Sequence, residues 1–256
     1  AIRNRMVSTT VQRWKGNFQN LPKGVTPFVG SPGMSAIAKK LAHDLNIYLP
    51  VEIAAVVPEP GGLWGLLDTE GRLLGTYDAV LLTCPPEQAK RLTGSAMDRH
   101  FDRPVRMRAV WSVMAAFQRP VPTPFDGIVM DGEPLTWAAR NSSKPEREFA
   151  PETWVLHAGS DITEQFLEHP REEVIGDLLG AFEHWLDEPL PPRMFVTAQR
   201  WLYANAESEA KGQDQGQDIS VFDEGMGLGL AGDWLNPPSE TYYGLQSAWQ
   251  SGKDVA

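Results

Sequence analysis

Apolar residues recur at helical spacing in two segments of the chain. Between Ser31 and Leu45 they fall on one face, and Pro32 suits a first helical position behind a Ser31 cap. Pro170 opens a second segment, which keeps the same periodicity as far as Leu186. The spacing therefore predicts helices over 31–45 and 170–186.

Alternating apolar and polar residues favour β-strands elsewhere. The alternation predicts strands over residues 47–53, 63–67, 109–118, 153–158 and 193–202. The segment from Tyr77 to Thr83 holds a short continuous apolar run, which Pro85 and Pro86 close, as expected of a strand buried on both faces. Residues 135–145 are polar and less regular, and the polar composition of residues 207–218 predicts a mobile loop.

The C-terminal stretch combines a strand, a sharp turn and a helix. The pattern predicts the strand over Leu228–Ala231 and the helix from about Ser239 to the end of the chain. On that helix Gly244, Ala248 and Gly252 fall four residues apart. Such a stripe of small residues lets another backbone or a flat ring approach closely.

Three glycines in this stretch match the spacing of the dinucleotide-binding fingerprint. They are Gly227, Gly229 and Gly232. The fingerprint requires an apolar strand before the first glycine and a helix that opens at the third, with the pyrophosphate at the helix N-terminus. Here acidic residues precede the glycines and a turn ending in two prolines follows them, so we interpret the match as accidental.

Composition and charge exclude several classes of function. A net charge of -10 argues against broad nucleic-acid binding. No apolar run is long enough to cross a bilayer, which predicts a protein without a membrane partner. The single cysteine, Cys84, suits a reducing compartment such as the cytoplasm. The five histidines show no metal-ligand spacing, and no serine-hydrolase or phosphate-loop motif is present, so no metal site is predicted.

The turn before the last helix has the chemistry of a site for a flavin. A carboxylate at the end of a strand, here Asp233, can accept hydrogen bonds from the hydroxyls of a ribityl chain. The free N–H groups at a helix N-terminus stabilise negative charge, which a reduced flavin carries on its pyrimidine edge. The pattern alone is equally consistent with a strand, turn and helix in which Asp233 is only a turn former.

Five motifs in order along the chain resemble the renalase-like and flavin-containing amine oxidase family. The residues Gly232–Trp234 with Ala248–Gly252 resemble its carboxyl-terminal flavin motif. The other four are Val29–Met34, Val51–Ile53 followed by Tyr77–Pro86, Leu135–Pro145, and Arg200–Ala204. Several ordered motifs are more specific than any one alone, and together they cover the chain from about Phe28 to its end.

The resemblance implies an α/β fold with two interleaved domains. One would be a three-layer, Rossmann-like FAD/NAD(P)-binding domain over residues 28–94 and 219–256, and the other a mainly antiparallel β-sheet substrate domain over residues 95–218 that lies over the flavin ring. Residues 1–27 would form a linker or the start of the substrate domain. The glycine-rich strand, turn and helix that normally opens this fold is not found before Phe28, and no initiator Met begins the chain. We therefore expect the N-terminal part of the Rossmann unit to be absent.

The resemblance also implies roles for particular residues. Ile53 should touch the adenine through its backbone, Asp233 should face the ribityl or pyrophosphate region, and the helix start should lie beside the pyrimidine edge. The implied cofactor-binding residues are Ile53, Gly232, Asp233, Trp234, Tyr243, Gly244 and Leu245. Candidates for the wall of a substrate cavity are Trp137, Asn141 and Trp201, for which a structural role is equally compatible. No catalytic side chain is assigned, because a flavin itself accepts the hydride.

The implied activity is hydride transfer from an amine, or from NAD(P)H as substrate, to FAD, with oxygen as the acceptor. Two alternatives stay open. The chain could be a cofactor-free remnant of such an enzyme that acts as a binding or structural protein. Its pocket could instead take a nicotinamide or another nucleotide without a flavin. The expected partner is a small-molecule substrate, and the pattern does not define the oligomeric state.

Overall fold

The computed structural model describes residues 10–101, 105–130, 132, 134–208, 220–235 and 244–255. The chain forms two compact units that alternate along the sequence. Unit 1 comprises Ala1–Asn46 and Ala109–Leu202, and unit 2 comprises Ile47–Arg108 and Tyr203–Ala256. Each unit therefore consists of two segments that are distant in sequence.

Fourteen strands and five α-helices make up the described part of the chain. The strands are β1 (Val11–Arg13), β2 (Phe18–Gln19), β3 (Phe28–Gly30), β4 (Ile53–Glu59), β5 (Leu63–Asp68), β6 (Leu73–Tyr77), β7 (Val80–Leu82), β8 (Val105–Phe117), β9 (Gly127–Val129), β10 (Leu135–Arg140), β11 (Glu152–Ala158), β12 (Arg193–Ser208), β13 (Val221–Asp223) and β14 (Leu228–Leu230). The helices are α1 (Ser35–Leu41), α2 (Pro86–Thr93), α3 (Ser160–Gln165), α4 (Arg171–Leu186) and α5 (Leu245–Asp254), and two 3-10 helices cover Gly94–His100 and Asn141–Ser143.

A six-stranded sheet in the order β12-β8-β11-β10-β9-β2 forms the frame of unit 1. Strands β8, β11, β10 and β9 pair antiparallel, and β2 joins β9 in parallel. Because side chains alternate between the faces of a strand, Trp154 and Leu156 point into a core that they share with Leu178 and Phe182 of α4. The opposite face carries His157 beside Trp137 on the neighbouring strand.

Unit 2 contains two three-stranded sheets that share one core. The antiparallel meander β4-β5-β6 contributes Val56 and Trp64, and the mixed sheet β13-β14-β7 contributes Leu228 and Leu230. Strands β7 and β14 run parallel, with Leu82 opposite Leu230. Parallel strands end at the same edge, so the loops after β7 and β14 emerge side by side.

Most of the predicted elements are confirmed with shifted ends. The strands predicted over 63–67, 109–118, 153–158 and 193–202 correspond to β5, β8, β11 and β12, and the helix over 170–186 corresponds to α4. The irregular segment 135–145 begins with the strand β10 and continues in the 3-10 helix Asn141–Ser143. The described part of the C-terminal helix is α5, while residues 239–243 and most of the predicted loop 207–218 lie outside the described residues.

The helix predicted over 31–45 is wrong at both ends, because only Ser35–Leu41 is helical. Ser31 does not cap it. The backbone N–H of Ser31 donates to the Thr10 carbonyl, and its hydroxyl donates to Glu146 Oε2 at 2.6 Å. Ser31 therefore extends the β1–β3 pairing, which competes with the helix for its backbone.

Two strand predictions in unit 2 are also corrected. The strand predicted over 47–53 begins only at Ile53, because Ile53 pairs with Asp68 at the end of β5 and the earlier residues have no described strand beside them. The segment 77–83 is not one strand buried on both faces. Tyr77 ends β6 and pairs with Trp64, whereas Val80 starts β7 and pairs with Leu228, and Leu81 is 44% exposed.

Candidate functional site

A tight corner follows β14 in unit 2. The Ala231 N–H donates to the Leu82 carbonyl at 3.0 Å, and the next amide, of Gly232, donates to Ser251 Oγ of α5 at 2.9 Å. A Cβ at Gly232 would lie 2.8 Å from the Trp234 ring, so the corner needs a glycine. These contacts attach the end of the strand to the second turn of the C-terminal helix.

Asp233 is the ionisable group of this corner. Its side chain is half-buried, and the desolvation that results raises the pKa of the carboxyl, against the smaller lowering by hydrogen bonds from the N–H groups of Asp233 and Trp234. A half-buried carboxylate keeps lone pairs that these two amides do not use. Asp233 can therefore accept hydrogen bonds from the hydroxyls of a ligand.

Trp234 is a core residue rather than an exposed ring. It is 3% exposed, its indole N–H donates to the Cys84 carbonyl at 3.2 Å, and its ring stacks on Phe101 with the centroids 6.0 Å apart. A cavity of about 140 Å³ lies beside this pair and is also lined by Lys90 and His100. Trp234 thus anchors the corner in the core of unit 2, and its indole N–H is already used in a hydrogen bond.

The start of α5 is open among the described residues. Gly244 precedes the helix with φ +41°, no described atom lies within 4 Å of the position that a Cβ would take there, and Leu245 is 54% exposed. The N–H groups of the first turn have no partner within a helix. Tyr243, the other residue predicted here, lies outside the described residues.

Two polar groups on α5 are enclosed and unpartnered. Ser247 is 0% exposed, and its hydroxyl has no hydrogen-bond partner in the described part of the chain; the same holds for the indole nitrogen of Trp249. Buried polar atoms of this kind are uncommon, since each lost hydrogen bond costs about 1–3 kcal/mol. Together with the open helix start and Asp233, they fit a polar ligand such as a flavin along this helix.

Ile53 lies in a different sheet from the strand that leads into this corner. It begins β4, is partly buried, and pairs with Asp68. Its strand belongs to the meander, whereas Gly232 follows a strand of the mixed sheet. The role of Ile53 toward an adenine stays a prediction.

The three residues predicted to line a cavity do not form one cluster in the described part of the chain. Trp137 lies on β10, and Asn141 follows that strand in the 3-10 helix. Trp201 lies on β12, three strands away in the sheet order, which corresponds to about 14 Å, and is 54% exposed. Their role in a cavity stays a prediction.

The structure instead places other side chains around Trp137. Trp14 packs edge-on against Trp137 with ring centroids 6.4 Å apart, and the ammonium of Lys144 lies 5.1 Å from the centroid of the Trp14 ring. His157 is the cross-strand neighbour of Trp137. The sequence offered only a weak signal for this group, because Trp14 and His157 stand in unremarkable surroundings far from Lys144.

The described residues contain neither a cluster of metal ligands nor a helix that could span a membrane. No three His, Cys, Asp or Glu side chains in that part of the chain lie close enough to hold a metal ion. None of the described helices combines the length and apolar character needed to cross a membrane.

Three solved structures share the fold with 12–18% sequence identity. A candidate protoporphyrinogen oxidase from Exiguobacterium sp. 255-15 has 18% identity and a TM-score of 0.66, with 92% of this chain and 52% of that chain covered. An oxidoreductase from Methanosarcina mazei has 14% identity, a TM-score of 0.61 and coverages of 90% and 55%. Cyclohexylamine oxidase from Brevibacterium oxydans has 12% identity, a TM-score of 0.59 and coverages of 87% and 51%.

At these identities the likeness establishes the fold alone, and the chain spans about half the length of the three structures. The sequence profile of one family is more specific. The profile described as flavin containing amine oxidoreductase matches residues 6–256, which include the corner at Asp233 and all of α5. The chain therefore belongs to the flavin-containing amine oxidoreductase family.

Proposed function

We propose that the protein is an FAD-dependent oxidoreductase of the renalase-like type, which transfers a hydride from an amine or a reduced nicotinamide to FAD and passes the electrons to oxygen. Membership of the flavin-containing family supports the cofactor class. The observation that carries the proposal is the corner at Gly232 and Asp233, which Ser251 attaches to a helix whose start is open among the described residues.

Bound FAD would supply the electron acceptor for the hydride. Asp233 would accept hydrogen bonds from the ribityl hydroxyls, and the enclosed hydroxyl of Ser247 would gain the partner that it lacks among the described residues. The first turn of α5 would direct its N–H groups toward the pyrimidine edge. Such a helix terminus stabilises negative charge by about 0.3–1 kcal/mol, which favours the reduced, anionic state.

Binding of FAD to the full-length protein tests the cofactor assignment. Titration followed by the quenching of flavin fluorescence should show saturable binding, and D233A should weaken it at least about tenfold, or 1.4 kcal/mol. D44A is the matched control, because the Asp44 side chain is 93% exposed and belongs to unit 1. Wild-type protein that takes up no FAD would overturn the proposal, and unchanged binding by D233A would remove Asp233 from the site.

Anaerobic reduction of the FAD-loaded protein separates the two substrate classes. Primary amines and NAD(P)H are added in parallel, and bleaching of the flavin absorbance near its visible maximum reports hydride transfer. The renalase-like assignment predicts bleaching by at least one of these two classes, followed by recovery of the colour when air is admitted. Bleaching by neither class would contradict the proposed reaction while leaving FAD binding intact.

A further inference from the structure

A group of basic side chains in unit 1 lies outside the proposed flavin corner. We define the Lys144 cluster as Lys144, Arg147 and His157. Lys144 and Arg147 belong to the loop after β10, and His157 belongs to β11. All three are partly exposed, so that a small molecule from solvent can reach them.

Hydrogen bonds hold the loop that carries Lys144 and Arg147. The Trp14 indole N–H donates to Ser143 Oγ at 3.0 Å, and that hydroxyl donates to the Arg140 carbonyl at 2.9 Å. Glu146, the next acidic residue, is engaged on both oxygens, by Ser31 Oγ at 2.6 Å and by Gln12 Nε2 at 2.9 Å. The loop is therefore fixed before any ligand arrives, and its own carboxylate is occupied elsewhere.

The two cations of this loop, Lys144 and Arg147, form no ion pair with a carboxylate of the described residues. Arg147 donates from Nη2 to the Gly30 carbonyl at 3.2 Å, but its Nη1 is enclosed without a hydrogen-bond partner in the described part of the chain. The loop's own carboxylate, Glu146, does act on the charge of Arg147, but both of its oxygens already accept hydrogen bonds from other side chains.

The electrostatics of the cluster agree with this arrangement. Burial, and then the charge of Arg147, lower the pKa of Lys144 to about 8. Burial, and then the charge of Lys144, lower the pKa of His157. Burial also lowers the pKa of Arg147, against the raising effect of the charge of Glu146. Burial therefore disfavours the charged form of each of the three side chains, and a bound anion would favour it.

We infer that the Lys144 cluster is a binding site for the oxyanion of a small molecule, a phosphate or a carboxylate group. Lys144 supplies an ammonium with three donors, Arg147 supplies a partly exposed guanidinium, and His157 supplies an imidazole from the sheet face. The site lies in unit 1, whereas the flavin corner lies in unit 2, so the inference does not depend on the proposed cofactor.

Titration of the full-length protein with inorganic phosphate, and separately with acetate, tests the inference. Binding is followed by calorimetry and by the imidazole NMR resonance of His157, which H157Q assigns. At least one of the two anions should bind saturably and shift that resonance. K144M should weaken this binding at least about tenfold, K144R should keep it within about threefold, and K40M, on the exposed end of α1, should change nothing.

The anion that binds identifies the ligand group as a phosphate or a carboxylate. Weaker anion binding by K144M together with near wild-type binding by K144R supports the site. R147Q is the second variant should K144M fail to unfold cooperatively. Saturable binding that neither K144M nor R147Q weakens, or no binding of either anion, overturns the inference. An equal loss of FAD affinity in K144M would also overturn it, because the oxyanion would then be the pyrophosphate of the cofactor.

Discussion

The Gly232 corner and the Lys144 cluster reach a binding-competent arrangement by different physical means. The corner uses backbone: a glycine amide that donates to Ser251, a carboxylate beside it, and a helix start whose first N–H groups have no partner within the helix. The cluster uses side chains that carry or can carry charge, and one of them, Lys144, lies over the ring of Trp14 on a loop that hydrogen bonds hold. The first depends on the path of the main chain, and the second on desolvated charge.

This difference determines how each region should respond to substitution. A site made of backbone is lost when the chain cannot follow its path, so the protein loses stability and binding together. A site made of unpaired charge opposes folding, so removing the charge should weaken binding while the stability holds or rises.

Gly232→Ala should be the most damaging change. The new Cβ would lie 2.8 Å from the ring of Trp234, which the hydrogen bond to Cys84 and the stack on Phe101 hold in place. We expect a loss of about 2–3 kcal/mol in the free energy of unfolding, measured by urea denaturation. Gly252→Ala on α5, where no described atom lies within 4 Å, should instead be neutral or stabilise by about 0.5–1 kcal/mol. Equal losses in both variants would contradict the steric account.

Ser251→Ala and Ser247→Ala form a matched pair on one face of α5. Both serines are 0% exposed, but only Ser251 accepts a described hydrogen bond, from the Gly232 amide. S251A should therefore lose about 1–1.5 kcal/mol in the free energy of unfolding, and S247A should be neutral or slightly more stable.

Unfolding of the same two variants in the presence of FAD tests whether Ser247 contacts the cofactor. If Ser247 hydrogen-bonds to the cofactor, S247A should gain less stability from added FAD than the wild type does. A larger loss for S247A than for S251A without FAD would show that the Ser247 hydroxyl already has a partner in the free protein.

Lys144 should make the stability depend on pH in the alkaline range. Its pKa in the folded state is about 8, below the ordinary 10.5 of the unfolded chain. Below both values the lysine is charged in both states. Between them the unfolded chain binds more protons, so the free energy of unfolding rises with pH. Allowing for partial exposure, the rise should be on the order of 1 kcal/mol from about pH 7 to about pH 10.

K144M should remove that rise and should be at least as stable as the wild type at neutral pH. Thermal unfolding across the pH series measures both effects, and K40M provides the background from other groups. A K144M protein that keeps the full rise would show that another titrating group causes it.

Trp201→Phe should have the smallest effect. Its side chain is 54% exposed on β12, so the loss in the free energy of unfolding should stay below about 0.5 kcal/mol. Trp137→Phe, in the aromatic group with Trp14, should lose more. Urea denaturation of both variants would show whether these two predicted cavity residues have equivalent surroundings.

The helix predicted over 31–45 shows that a sequence pattern can locate a helix without predicting its ends. Its apolar spacing is real, and α1 lies at its centre. Its ends depend on Ser31, whose backbone and hydroxyl pair with Thr10 and with Glu146, more than a hundred residues away. Local propensity is a weak preference that such long-range hydrogen bonds override.

The candidate site was predictable to the extent that it is contiguous. Gly232, Asp233 and the small residues of α5 form one short motif, and the structure joins them through Ser251. Trp137 and Asn141 come from one motif and Trp201 from another, and the sheet order keeps Trp201 three strands from Trp137. Strand order depends on pairing between distant segments, which periodicity along the chain does not encode.

Motifs and periodicities act over a few residues, so the amino-acid sequence alone was enough to predict the family, the order of most strands and helices, and the turn at Asp233. Which basic side chains lie near one another follows only from the folded chain. Lys144, Arg147 and His157 become one electrostatic group because the β10–β11 pairing and the Trp14 contact bring their segments into a partly desolvated place. Desolvation and Coulomb interactions depend on distance in space, which separation along the chain does not set.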